Sequence, residues 1–428
     1  MRIACIHQGY ELYGSDRCFI ETVGAIRDTY PGADLRVVLP RQGPIVPFLE
    51  GFATRVDYAP LWILRRKSLW RLATLGLLTL PLAFLRAARR FGEHDLVYIN
   101  TAVVADHLLA ARFFPGRAIL HVHEIPQGLA LSLLRGLIRW SRATIVFNSQ
   151  ATRAAFALPS SIPARVIHNG IAGPPAALPQ RYDGTRPLRV LMLGRLSRIK
   201  GQDVLLDALD ALPAETARRI ELRIVGGAFE DPERERRLAA RIAAAAWSSQ
   251  VTLQPFAPDP DPHYRWADIV AVPSRLPESL GRVAIEAMAY GRPPLVSAIG
   301  GLAEVVENGR TGWCVPPDRA DHLAAALARI VAAPEAWTAF PEAGRRRYEA
   351  LFTQEVARQA IRALVRERCA DLALDAASHP HTEVLREARP GRKAPEVSRE
   401  PERSFEAAGA VPQDEVAVRR REQEAPAP

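Results

Sequence analysis

The segment Ala267–Pro294, reading ADIVAVPSRLPESLGRVAIEAMAYGRPP, constrains the fold more than any other. Its opening through Pro273 is apolar and β-branched, as a buried parallel strand should be. A polar loop follows, then VAIEAMA, whose apolar spacing suits a helix. Strand, loop and helix N-terminus in succession collect anions, because the first-turn N–H groups are unpaired and the helix dipole adds to them. Glu278 falls in the loop at the strand's C-terminal end, and Glu286 lies over one turn inside the helix that starts near Gly281. Two carboxylates beside an anion site call for a ligand that carries phosphate and several hydroxyls. A nucleotide sugar fits.

The rest of the chain repeats the pattern. Candidate strands at Arg2–His7, Leu35–Leu39, Asp95–Ile99, Ala118–Val122, Thr144–Phe147 and Arg165–Ile167 alternate with helical stretches. That alternation implies βαβ units and a mostly parallel sheet. Pro and Gly then break every pattern between Ile171 and Pro187, as an interdomain linker would. Strands resume at Leu188–Leu193, Ile220–Val225, Val251–Leu253, Asp268–Val272 and Pro294–Ser297, and after Gly312 the chain reads as helical. The expected organisation is a Rossmann-like α/β domain over 1–175, a linker over 176–187 and a ligand-binding α/β domain over 188–352. A C-terminal helix over 353–375, packing back on the first domain, and a disordered tail over 376–428 complete it. The tail is rich in Pro, Glu, Arg and Ser and cannot bury enough to offset its ordering entropy.

At 428 residues and 48% hydrophobic content the chain can bury two ordinary cores. The formal charge of +9 comes almost entirely from Arg, since Lys occurs only at Lys67, Lys200 and Lys393. No basic-aromatic module or zinc knuckle supports nucleic-acid binding, so the surplus points to an anionic membrane surface instead. Residues 61–91 fit that reading: a Leu-rich centre interrupted by Pro81 is flanked by Arg clusters, with Trp62 and Trp70 at one end. This composition suits a helix lying in a membrane interface, and the alternative is a helix packed on the sheet with a basic end. Cys5, Cys18, Cys314 and Cys369 are scattered with no metal-ligand spacing and no signal peptide ahead of them. A reducing, cytoplasmic setting is expected, peripheral to the inner face of the plasma membrane.

The second domain opens with RVLMLGRLSRIKGQDVLLDAL, a strand, then a loop carrying Arg195 and Lys200, then a helix near Gln202. Two cations there can hold a diphosphate, Arg by a forked contact and Lys as a point charge. With these residues in place the chain resembles the retaining GT-B glycosyltransferases of family 4. The resemblance rests on Gly194-Arg195-Leu196 with Lys200-Gly201, on ESLG at Glu278–Gly281, on EAMAYG at Glu286–Gly291, on Gly300-Gly301 and on GRTG at Gly309–Gly312. It is looser in the first half, at Gly14–Arg17, His123-Glu124, Asn148-Ser149 and Asn169–Ile171.

The resemblance implies two Rossmann-like domains facing across a cleft. It also implies transfer of a sugar, with retention, from a nucleotide-sugar donor to an acceptor hydroxyl, and the basic amphipathic segment over 61–91 suggests that this acceptor is a glycan or lipid-linked saccharide in cell-envelope or exopolysaccharide synthesis. Arg195 and Lys200 would neutralise the donor diphosphate, and Glu286 would accept from the ribose hydroxyls. Glu278, with the backbone N–H groups of Leu280 and Gly281, would hold the donor sugar and β-phosphate side. Leu280 stands where Phe is often seen. Gly226 and Gly227 would end a strand near the base, and Gly14 and Ser15 would form a short loop approaching the diphosphate. His123 would contact the donor sugar, with His121 as its competitor and Glu124 able to fix its tautomer.

No metal or other cofactor is expected. Asp259, Asp261 and His263 superficially resemble a cation motif but sit in a Pro-rich turn, and the cationic pair covers the role of Mg²⁺. A non-catalytic nucleotide-sugar-binding scaffold at the membrane is the main alternative, and a UDP-sugar epimerase a more distant one. A pyridoxal-phosphate phosphorylase would need a Lys that this domain has already committed to phosphate.

Overall fold

The computed structural model describes residues 1–12, 14–64, 76–179, 182–228 and 231–378. Residues 1–375 form one compact unit containing two parallel sheets. The first has β1 (Arg2–His7), β2 (Asp34–Leu39), β3 (Arg55–Tyr58), β4 (Leu96–Asn100), β5 (Ala118–Val122), β6 (Thr144–Phe147) and β7 (Ala164–Val166), in the order β3-β2-β1-β4-β5-β6-β7. The second has β8 (Leu188–Leu193), β9 (Ile220–Val225), β10 (Val251–Gln254), β11 (Ile269–Val272), β12 (Pro294–Ser297) and β13 (Trp313–Val315), in the order β10-β9-β8-β11-β12-β13. This is the GT-B architecture anticipated above.

Strand order reverses between β1 and β4 in one sheet and between β8 and β11 in the other. Loops leaving two adjacent parallel strands in opposite directions open a crevice at their C-terminal ends, where such sheets bind ligands. The loops carrying Arg195–Lys200 and Glu278–Gly281 leave β8 and β11, so they flank one of these crevices.

Both faces of each sheet are buried, which is why the central strands read as continuous apolar runs. Two strands have no such signal. β3 is a half-exposed edge reading RVDY, and β13 is a three-residue edge inside the stretch expected to be helical. An edge strand is covered on fewer sides, so its sequence carries less of the apolar pattern.

The helix Gln354–Ser378 leaves the second half and places Ile361, Leu364 and Val365 in the core of the first, beside Ile3, Cys5 and Phe19. Arg358 and Arg362 reinforce the seam through Asp28, at 2.6 and 2.5 Å. The tail expected to be disordered lies outside the described residues from 379 onward.

In the basic segment, residues 65–75 are outside the described residues, but the helix Leu77–Glu93 is present and contains Pro81. It has two faces. Ala83, Ala87 and Phe91 are buried, while Leu78, Leu82 and Leu85 are 79%, 52% and 61% exposed. No single helix among the described residues is long and apolar enough to cross a membrane.

Candidate functional site

The β8 and β11 loops are held together at close range. Arg275 N donates to Ile199 O at 2.8 Å, and Gly201, at φ +79°, lies so near the Pro273 carbonyl that a Cβ there would come within 2.0 Å of its oxygen. Only glycine fits such an approach. Across the joined loops Lys200 Nζ donates to Glu278 Oε1 at 2.7 Å, and the Ser274 hydroxyl donates to the same oxygen. Both bonds converge on Oε1, which leaves Oε2 for a ligand hydroxyl. The Arg195 side chain is exposed, while its carbonyl accepts from Gln202 Nε2 at 2.9 Å, which fixes the backbone beneath it.

Gly281, at φ +90°, starts the helix Arg282–Ala289, and no side chain caps it. Its first-turn N–H groups therefore face the loop, as an anion site requires. Leu280 is buried against the second core, so its backbone is what the loop presents. Within the helix, Glu286 accepts from Tyr264 Oη at 2.8 Å and from Arg282 Nε at 2.7 Å. Its carboxylate is aimed by one contact on each oxygen and keeps capacity for diol hydroxyls.

Gly226 directly follows β9 and is also tightly packed. A Cβ at Gly226 would stand 1.9 Å from the Gly194 carbonyl oxygen, so its smallness lets the β8 and β9 loops touch. Gly14 and Ser15 differ from the short loop expected of them. They are the first residues of the helix Gly14–Thr29, not a separate loop, because Asp16 in the first turn favours helix initiation.

On the facing side, the ends of β1, β4 and β5 hold a buried polar chain. Asp16 Oδ1 lies 2.7 Å from His7 Nε2, Asn100 Nδ2 donates to His7 Nδ1 at 2.9 Å, and His123 Nε2 donates to Asn100 Oδ1 at 2.8 Å. The amide orients the whole series: its NH₂ fixes the proton of His7 on Nε2, toward Asp16, and its oxygen fixes the proton of His123 on Nε2. Burial, aided by the neighbouring His7, pushes the His123 ring down to about 3, so it is neutral. Glu124 does not set the tautomer, as had been expected of it. Its carboxylate accepts from the backbone N–H groups of Ala102 and His123 at 2.8 and 3.0 Å, and burial pushes it up to about 7. His121 is buried at 1% exposure and bonded to Tyr98 Oη at 2.7 Å, whereas His123 stands at the mouth of the strand.

His7 and Asn100 went unnoticed in the sequence. The signal was available, since each is a polar residue closing an otherwise apolar buried strand, RIACIH and LVYIN.

Cys18, His121 and His123 bring three possible metal-ligating atoms within 4.8 Å of one another, though the thiol already donates to Asn169 Oδ1 at 3.4 Å. Asp259 lies in the expected turn, whereas Asp261 and His263 fall in the helix Asp261–Trp266 instead. Asp259 Oδ1 accepts from Asp261 N at 3.0 Å, and Asp261 binds Arg265 and Tyr290 at 2.5 and 2.9 Å.

Bonds between the halves hold the two sides of the site opposite one another. Asn148 Nδ2 donates to Ser279 Oγ at 3.2 Å, and the hydroxyls of Ser149 and Thr152 both donate to the Ser279 carbonyl. Glu304 accepts from the N–H groups of Gln150 and Ala151, at 3.0 and 3.1 Å, and from His168 at 2.8 Å.

Known proteins resemble this chain in sequence and in fold. Residues 181–347 match the family of glycosyl transferases, group 1. The D-inositol 3-phosphate glycosyltransferase of Rhodococcus opacus is 40% identical over 152 residues, which is 34% of this chain and 33% of that protein. The chain thus spans about a third of that relative's length. A GDP-mannose-dependent α-(1-6)-phosphatidylinositol monomannoside mannosyltransferase of Mycolicibacterium smegmatis is 30% identical over 352 residues, covering 72% of this chain and 90% of that one. Among solved structures, Anabaena Alr3699/HepE in complex with UDP and glucose has the same fold, at a TM-score of 0.68 and 24% identity over 86% of this chain and 99% of that one. With matched residues spanning both sheets, the chain belongs to the group 1 glycosyl transferase family.

Proposed function

We propose that this chain transfers a sugar, with retention, from a nucleotide-sugar donor to a hydroxyl of a glycan or lipid-linked saccharide. The observation that carries the reading is the joined β8 and β11 loop pair. It sets Lys200, Glu278 and an uncapped helix start around one crevice, with Glu286 inside that helix.

In this reading the diphosphate draws Lys200 from Glu278 and meets Arg195 and the first-turn N–H groups, a preorganised field for the charge that grows on the leaving group. Glu286 takes the ribose hydroxyls. Glu278 and the neutral His123 hold the donor sugar from opposite sides. The acceptor hydroxyl attacks from the leaving-group face and loses its proton to the departing phosphate. Lys200 and Arg195 supply the positive charge, so the reaction requires no metal or other cofactor. The bonds through Ser279 and Glu304 favour a closed cleft, which excludes water from the transfer.

The setting we infer is the inner face of the plasma membrane, in envelope or exopolysaccharide assembly, with no role in binding nucleic acid. Leu78, Leu82 and Leu85 support it, lying exposed on a helix whose chain also carries Arg86 and Arg89. Apolar residues flanked by cations suit an anionic lipid surface.

The test is a thermal-shift series with UDP, GDP, ADP and their sugars on the wild type and on Lys200→Ala. A ligand at 100 times its Kd adds about 2.7 kcal/mol, an easily seen shift. Stabilisation by one nucleotide, lost in the variant, is the expected result. A panel without any shift would overturn the donor assignment.

A further inference from the structure

Next to the donor loops is a groove of about 360 Å³. That is the size of a small-ligand site. Val103, Ala130, Leu133 and Leu134 line it from the first half, and Ile199 and Leu276 from the second. Glu124 and Gln127 are its polar side chains. A free saccharide carries hydroxyls on every side and needs a partner for most of them, which this lining does not provide. Hydrocarbon matches it.

The groove's place decides what its occupant does. Ile199 is bonded to Lys200, Leu276 is separated from Glu278 only by Pro277, and Glu124 follows His123. Each wall therefore continues directly from a residue of the donor crevice. The apolar lining also continues outward. Leu133 is 51% exposed, and Leu129, one turn earlier on the same helix, is 74% exposed. Ile199 and Leu276 face the cleft at 48% and 39% exposure. Large apolar side chains left bare on both sides of one cleft mark a surface that is covered in use.

We propose that this groove is an acceptor subsite for an aliphatic aglycone, so that the acceptor is an amphiphile whose chain lies along Leu133 and Ile199 and whose hydroxyl turns toward Glu124. The inference rests on the glycosyl-transfer reading and narrows it from glycan or lipid-linked acceptor to the second. Glu124 is suited to receive that hydroxyl because two backbone N–H groups fix the direction of its carboxyl.

The experiment titrates the full chain with alkyl maltosides of increasing length, each below its micelle concentration, and follows binding by calorimetry. If the chain enters the groove, each added methylene tightens binding about fourfold until the groove is full. Ala130→Trp fills the groove, and Leu133→Glu places a charge at a half-exposed position that tolerates it. Either change should flatten the series. A flat series in the wild type, or a slope that survives in both folded variants, overturns the groove. Stabilisation by UDP or GDP is measured on the same samples. Its failure strikes the donor assignment, whereas loss of the length dependence alone strikes the groove.

Discussion

The two halves build their sides of the crevice in different ways. The second half uses two loops from adjacent strands, drawn together by Gly201 and by the bond from Arg275 to Ile199. Its functional groups are charged and part-exposed, with Lys200 at 25% and Glu278 at 14% side-chain exposure. The first half uses a buried chain of two rings and an amide, Asp16 to His7 to Asn100 to His123. One side is suited to exchange partners with a charged ligand. The other is suited to stay still. A salt bridge near water gives up its partner at modest cost, but a buried hydrogen-bond chain that loses a member leaves unpaired groups.

Lys200→Ala is the sharpest way to break this contrast, because it removes a charge aimed at the leaving group. Transfer activity should fall about 10²- to 10³-fold, as for other preorganised electrostatic groups, with little change in melting temperature. Activity assays on a folded variant check this, and a loss under twofold would sink the role assigned to the ammonium.

Asn100→Leu tests the opposite side. It orphans His7 Nδ1 and His123 Nε2 together, at roughly 1–3 kcal/mol for each buried group left unsatisfied. Here stability should drop along with activity, measured by denaturant unfolding. A variant as stable as the wild type would show that the chain of bonds does not hold the first half still.

Gly226→Ala asks how tightly the second half's loops are packed. The new Cβ would meet the Gly194 carbonyl, so the loops must part, at about 1–3 kcal/mol for an overpacked site. Nucleotide affinity should weaken along with the melting temperature.

Glu124→Gln should give the smallest effect on stability. Burial raises this carboxyl to about 7 in the folded chain, from 4.5. Below the lower value it is protonated in both states. As pH rises between the two, the unfolded chain releases the proton and the folded chain does not, so stability falls, and above about 7 the full loss is present. The amide should flatten this slope, but it can accept from only one of the two backbone N–H groups of Ala102 and His123, so the melting temperature at pH 8 should not rise.

The same contrast governs what could be read from the sequence. The second half's site was legible because its parts are nearly contiguous: Gly194 to Gly201 on one loop, Glu278 to Glu286 on the other. Local spacing carries local geometry. In the first half, residues 7, 16, 100 and 123 meet only because β1 pairs with β4 and β4 with β5. No spacing rule announces a contact between residues that far apart, and a polar residue closing a buried strand is ordinary by itself. His123 was found by resemblance, and its partners were not. Gly226 was noticed for its position, yet its constraint is the Gly194 carbonyl. The central strands showed themselves as apolar runs, while the edges β3 and β13 did not.

The chain passes between the two sheet domains twice, and the two passages run side by side. Ile171 and Thr353 pair as a parallel bridge, and Ile171 N donates to Phe352 O at 2.9 Å. A single tether would let one domain swivel freely against the other. Two tethers knitted at one point act like the spine of a book, so that the covers can open and shut but cannot slide or twist apart. The donor loops and the His123 chain would then return to the same register after every turnover, and the page they close on is the ligand.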